Sequence, residues 1–322
     1  MRDERADDLA RREIQTESAE FLAAPPISTL KLRLDEIDPL DCESVLEAVR
    51  PLAQDTDWLT RRVETWIDRI ARDSNFLPPL LGVNDFGRDF ADSGLTLFVH
   101  PLLEVFLGSM SPRARGANSE RTDVIFTGRS SVFRIMGAGS AIIQWWRCTP
   151  LDDKADITRS VAIEAAEEQT IDASTPPIEF NGADSAFEIR DIEGSLSLLR
   201  FNLRNGPCPI SLRYSPANGA IAAVAPNMRD DSRMILDSAV LRLIGRQDRV
   251  EALKTQLSHP SFFVRWQLMR EYISARGLAA LPELEAFIAR EDNPSVKRSA
   301  LATREMLAAK AKQSEILHAD QH

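Results

Sequence analysis

Chemistry in this chain would have to come from few residue types. Four histidines are present, His100, His259, His318 and His322, with none between the first two. The pairing nearest to a ligand spacing is Phe98-x-His100-x-x-x-Glu104. One imidazole and one carboxylate are too few donors to hold a transition metal in water. His100 precedes Pro101, which favours an extended backbone and a structural or surface role. His259 opens a helix and the last two histidines sit in a polar tail, so no metal site and no Ser-His-Asp arrangement is expected. P-loop, GxGxxG, GxSxG and HExxH patterns are absent, and Gly137-Ala138-Gly139 reads as a turn between strands. Acid pairs such as Asp152-Asp153, Glu167-Glu168 and Asp230-Asp231 read as solvated loops.

Arginine is the more suggestive residue. Arg129, Arg134, Arg147, Arg200, Arg204 and Arg213 recur through the middle of the chain. Converging inside a β fold they would hold an anionic small molecule through charge-assisted hydrogen bonds; paired with acids outside it, the reading that an acidic body favours, they would be structural. The candidate ligand-binding set is Arg134, Trp145, Arg147 and Arg200. Trp145 and Trp146 are adjacent on a strand and so point to opposite faces, one indole inward and one outward. Phe262-Phe263-x-Arg265-Trp266 is the most apolar helix start in the C-terminal part. Core packing is the default reading of Phe262, Phe263, Arg265 and Trp266, and the sharper one makes them the candidate partner-binding set. No cofactor is expected.

The elements that would position these residues fall into three stretches of a 322-residue chain, 43% apolar and 27% charged, values ordinary for a globular protein. The first stretch, 1–77, reads as helical, with helices over about 41–53 and from 57 onward and a short strand at Leu30–Leu34 between them and a charged leading segment. From 78 to 227 short alternating runs punctuated by Gly, Pro, Asn and Asp predict strands around 124–126, 131–136, 141–147, 161–163, 178–180, 187–189, 199–203 and 210–214. Along Leu199–Leu203 one face is apolar and the other, with Arg200, Asn202 and Arg204, is basic and polar. Helices resume over 228–312, one of them carrying Leu236, Val240, Leu243 and Ile244 along one side and another capped by Asp248. A polar tail, 313–322, follows.

Charge is uneven. From Met228 onward 15 basic residues face 13 acidic ones, while the preceding part holds 24 basic and 36 acidic, a balance of −12. An acidic body repels polyphosphate, so no nucleic-acid partner is expected. No run of 18 apolar residues is present, so no membrane partner is expected either. The start, MRDERADDLARRE, lacks the apolar core of a secretory signal. Cys42, Cys148 and Cys208 are odd in number and far apart, a pattern of reduced thiols that predicts a cytoplasmic protein.

Two resemblances organise this reading. Val264-Arg265-x-x-Leu268 and Val296-Lys297-x-x-Ala300 repeat, each preceded by a proline turn and followed by Arg-Glu. With Asp292 ahead of the second, the pattern resembles HEAT repeats, which implies stacked helix pairs whose basic residue reaches the acid of an adjacent turn. The middle of the chain faintly resembles the cupin superfamily, on its size, its strand rhythm and the stretch Asp172–Asn181. Metal-binding members carry a Gly, then HxH with a following Glu, and a later His. Here the first His and the Gly are missing and Thr175-Pro176-Pro177 stands in the second motif, so the resemblance implies a fold without its metal. The expected class is α+β multidomain, a cupin-like antiparallel β barrel or sandwich flanked by N-terminal helices and a HEAT-like α-helical array. The expected function is non-catalytic protein interaction or regulation. The alternatives are a sensor of an anionic small molecule and a metal-independent isomerase or lyase, both using the barrel interior; a barrel filled with aliphatic and aromatic side chains favours the first reading.

Overall fold

In a computed structural model, residues 15–72, 93–112, 123–150, 152, 154, 156–157, 163–206, 208–216, 218–246 and 250–319 are described. The chain divides into two compact units, residues 1–124, 129–147 and 164–206, and residues 125–128, 148–163 and 207–322. Most of the charged leading segment, the first part of the 161–163 strand and Asp248 lie outside the described residues.

The first unit opens with helical residues 15–23, then α1 (Ile27–Asp35), α2 (Cys42–Gln54) and α3 (Asp57–Arg72). Leu30–Leu34 belongs to helix α1 and not to a strand. Ile27, Leu30 and Leu34 are its buried residues, three and four apart, while Leu32 is exposed. The helical period therefore overrides the apparent alternation. Asp41 caps α2, its carboxylate accepting from the Ser44 backbone N–H at 3.0 Å and the Ser44 hydroxyl at 2.6 Å. Those bonds hold the Asp41 carboxyl below its ordinary 3.8. A depressed carboxyl stabilises the fold above its unfolded value, and that contribution is lost as pH falls through the lower folded value. Asp41→Asn keeps the cap but removes this ionisation. In urea titrations its midpoint should fall less than the wild type's between pH 5 and about pH 3.

Two antiparallel sheets follow. The larger runs in the order β1-β2-β9-β4-β7, the smaller β6-β5-β8. Their strands are β1 (Ser93–Val99), β2 (Leu103–Met110), β4 (Ser130–Met136), β5 (Ser140–Arg147), β6 (Glu164–Asp172), β7 (Ile178–Asn181), β8 (Ser185–Glu193) and β9 (Leu196–Leu203). Between residues 78 and 123 the sequence predicts no strand, yet β1 and β2 lie there. β2 is buried on both faces, so it shows no polar alternation to read. One face of the larger sheet, with Leu103, Val105, Val132, Leu199, Phe201 and Leu203, packs on Ile27, Leu34, Val49 and Leu59 of the helices. The other face meets the smaller sheet across a core of Met110, Phe133, Ile135, Ile143, Trp145, Phe180, Phe187 and Leu198. Among the described residues the strands form separate sheets and no closed barrel, so of the expected barrel or sandwich the sheets match a sandwich. Gly137 takes φ +92° in the turn between β4 and β5, and a Cβ on Gly139 would come within 2.6 Å of the Glu193 carbonyl oxygen.

The second unit holds a sheet of order β11-β10-β3, built from β3 (Val124–Phe126), β10 (Ile210–Tyr214) and β11 (Ile221–Pro226). Its helices are α4 (Arg229–Leu243), α5 (Phe262–Arg276), α6 (Leu281–Arg290) and α7 (Pro294–Ala319). The expected α-helix does not run through Leu253 and Leu257: Val250 is α-helical, and a 3-10 turn follows over Glu251–Gln256. Gly277, at φ +56°, ends α5. Asn293 starts α7, its side-chain oxygen accepting from the backbone N–H of Ser295 at 3.0 Å and of Val296 at 3.1 Å. Among the described residues no helix is long and apolar enough to cross a membrane.

Candidate functional site

β9 sits in the larger sheet between β2 and β4, and its register builds a polar row. Asn202 lies opposite Glu104 of β2 and opposite Ser131 of β4. Side chains alternate along a strand, so Arg200 shares that face. Its guanidinium lies over the rings of Phe180 at 5.6 Å and Phe187 at 6.0 Å, inside the sandwich. The Ser131 hydroxyl donates to Asn202 Oδ1 at 3.0 Å, and Arg200 Nη2 donates to Ser131 Oγ at 3.4 Å. Arg129 immediately precedes β4 and Arg204 immediately follows β9, which puts both at the Glu104 end of the sheet. Electrostatics bind the group together. Arg200 is drawn down to about 10, by burial first and by the like charge of Arg129 next, with Glu104 acting the other way. Burial pushes the Glu104 carboxyl up, against the pull of Arg204, Arg129 and Arg200.

Of the four expected ligand residues, the structure gathers three. Trp145 stands edge-on to Phe180 at 5.9 Å and Phe187 at 5.5 Å, and Arg200 lies over those same rings. Arg147 lies over the Trp145 ring at 5.6 Å and reaches the Glu167 carboxylate at 3.1 Å. Arg134 is elsewhere: it donates to the carbonyls of Ala173 and Thr175 and ties down the turn between β6 and β7. Glu104, Ser131 and Asn202 were not on the expected list. The signal for Asn202 was present in the polar side of the Leu199–Leu203 alternation, which faces the sandwich core instead of water.

His100 and Glu104 do not converge. His100 Nε2 lies 3.0 Å from Asp35 Oδ1, and its Nδ1 accepts from the Leu102 N–H at 3.2 Å. Lys31 first and His100 second hold the Asp35 carboxyl below its ordinary value. Glu104 lies on the sheet face that looks at Arg200, away from the helices. Among the described residues no group of three His, Cys, Asp or Glu is placed to hold a metal ion.

In the helical unit the four expected partner residues point mostly inward. Phe262 is buried, and Trp266 packs on Phe287 at 6.2 Å. Arg265 grips the buried Glu291 with two bonds of 2.9 and 2.7 Å and donates to the carbonyls of His259 and Pro260. Phe263 is half-buried. The open apolar face lies on α4. Leu236, Val240, Leu243 and Ile244 are 62, 43, 73 and 64% exposed. The opposite side of the helix mixes polar groups with half-buried Met234, Ile235 and Leu241. Asp231 and Ser238 are buried there, Asp231 lies 3.5 Å from His259 Nε2, and Arg242 pairs with Glu271. α4 packs on α5, with Met234, Ile235 and Leu241 half-buried on that side, and still leaves an aliphatic stripe to solvent.

No family model matches the chain, and no curated protein matches it. A solved structure with some likeness is a sugar phosphate isomerase of the cupin superfamily from Silicibacter pomeroyi. It is 13% identical, over 42% of this chain and 75% of that one, with a TM-score of 0.19. At that score the likeness supports no assignment of fold or activity to this chain.

Proposed function

We propose that the protein acts without catalysis, by docking an amphipathic α-helix of another protein along α4. One observation carries this: α4 leaves Leu236, Val240 and Leu243, with Ile244 at its C-cap, exposed along one side. The exposed residues are spaced i, i+4, i+7 and i+8, the seam of helix-on-helix packing. The seam is one helix wide and about 12 Å long at 1.5 Å per residue. Four aliphatic side chains fall well short of the roughly 800 Å² per partner that a stable dimer buries, so a second copy of the chain is the poorer occupant. The helices beneath it are read as a short HEAT-like array. Val264 and Val296 are buried at matching positions of α5 and α7, and Arg265 reaches Glu291 at the end of α6. The filled aromatic core of the sandwich supports the same reading, because it leaves the interior to Phe133, Trp145, Phe180 and Phe187.

The test is a photo-crosslinker at Val240 of the whole chain. It should join a helical segment with an apolar stripe in another protein, and Leu236→Glu with Leu243→Glu should abolish the crosslink. Thermal unfolding of that double variant should stay within about 1 kcal/mol of wild type, since the side chains touch solvent. A crosslink to a second copy, with a concentration-dependent dimer in sedimentation, would overturn the reading. The alternative reading, an anion sensor or a metal-independent isomerase or lyase, draws on the arginine cluster alone.

A further inference from the structure

We propose that the cleft lined by Pro26, Leu52, Trp58, Arg61 and Arg62 binds a small aromatic carboxylate, its ring on the apolar wall and its carboxylate on the two arginines. The proposal concerns the first unit only and stands apart from docking on α4.

The cleft has a volume of about 610 Å³, within the roughly 300–1,000 Å³ of small-molecule sites. It lies among the turn before α1, the end of α2 and the first turns of α3. Trp58, Arg61 and Arg62 are spaced i, i+3 and i+4, so one face of α3 presents them together. Trp58 is half-buried, and its indole N–H already donates to the Leu52 carbonyl at 3.2 Å. What it offers an occupant is therefore ring carbon, beside Leu52 and Pro26, a wall for an aromatic ring.

Arg62 gives the reason to expect an anion. Its Nε and Nη2 are buried without a hydrogen-bond partner, and Trp66 Nε1, one turn on, is in the same state. The guanidinium lies 5.8 Å from the ring centroids of both Phe21 and Trp66. The nearby Glu17 carboxylate stands 3.9 Å from Nη2, beyond hydrogen-bond reach, and is bonded to Arg69. Buried donors without an acceptor are costly and rare, so a guanidinium left this way calls for one. Arg61, one residue earlier and exposed, donates from Nε to the Asp57 carbonyl at 3.2 Å and makes no ion pair among the described residues. A carboxylate in the cleft would take forked bonds from Arg62 with the Arg61 charge beside it. Asp55 lines the cleft as well, but it lies about two helical turns from Arg62, and its Oδ1 accepts from the Asp57 N–H at 3.0 Å. A bare inorganic anion would leave the Trp58 wall uncovered, which is why the ligand needs a ring.

Phenylacetate and naphthoate are titrated against the whole chain by calorimetry and thermal unfolding. Their amides and inorganic phosphate serve as controls at matched ionic strength. At least one acid should bind saturably and raise the unfolding temperature. Its amide, which keeps the ring, and phosphate, which keeps only charge, should each bind about tenfold more weakly or worse. Arg62→Gln should weaken the acid about tenfold, the size of a lost charge-assisted bond, and Arg61→Gln several-fold. Arg62 also packs on Phe21 and Trp66, so Arg61→Gln, at an exposed position, carries the test if Arg62→Gln does not fold. The proposal fails if neither acid stabilises a cooperatively unfolding wild type, or if an amide binds as tightly as its acid. It fails equally if Arg61→Gln, or a folded Arg62→Gln, binds as well as wild type.

Discussion

Arg265→Met should destabilise the helical unit by about 3–5 kcal/mol, the range for removing one partner of a buried ion pair. The Glu291 side chain is 1% exposed and receives both forked bonds from Arg265. Methionine fills the volume of the arginine stem but leaves that carboxylate without its counter-charge. It also frees the carbonyls of His259 and Pro260, which Arg265 now satisfies at the start of α5. Glu291 would keep one bond, from the Asn293 N–H at 2.9 Å, too little to hold a buried carboxylate in place. Urea unfolding of the single variant and of Arg265→Met with Glu291→Leu separates charge from packing. The double variant should recover a good part of the loss, because an apolar pair of similar volume carries no stranded charge. A single-variant loss below about 1 kcal/mol would mean that the pair is no more than a surface ion pair.

Arg265 also shows how far the sequence could be read. The repeat of Val264-Arg265 and Val296-Lys297 marks it as a residue that reaches an acid on a neighbouring turn, and it does reach one, Glu291. Listing it with Phe262, Phe263 and Trp266 as a docking patch treats a helix start rich in aromatics as outward-facing. Periodicity shows which residues share a side of a helix but not which side meets the core. The same ambiguity hid α4, whose stripe at Leu236, Val240, Leu243 and Ile244 is plain in the sequence and turns out to be the solvent side. Arg242 pairs with Glu271 and Asp231 lies beside His259 on the inward side, and such pairing is a tertiary fact. Strand β9 inverts in a related way. Its polar side looks like a solvent face, yet both faces are covered, one by helices and the other by the second sheet. A central strand buried on both sides can carry a polar row only where that row serves itself or a ligand. Asn202, Ser131 and Glu104 meet only through pairing across three strands far apart in sequence, which no local pattern encodes.

Phe133→Ala should cost about 3–5 kcal/mol, the range for truncating a large buried aromatic. Phe133 is 0% exposed and packs on Phe187 at a ring separation of 5.0 Å and on Phe180 at 6.1 Å. Those are the rings over which Arg200 lies. Truncation opens a void under them, and the surrounding β4, β7 and β8 can close it only in part, since their registers are fixed by pairing. Phe133→Leu keeps most of the volume and should cost less than about 1.5 kcal/mol. The pair of variants, measured by urea unfolding, asks whether the sandwich interior is packed or roomy. A cost for the alanine variant near 1 kcal/mol would mean loose rings with space beside them, and the interior could then hold a ligand whole. A cost in the expected range means the interior is closed by its own aromatics.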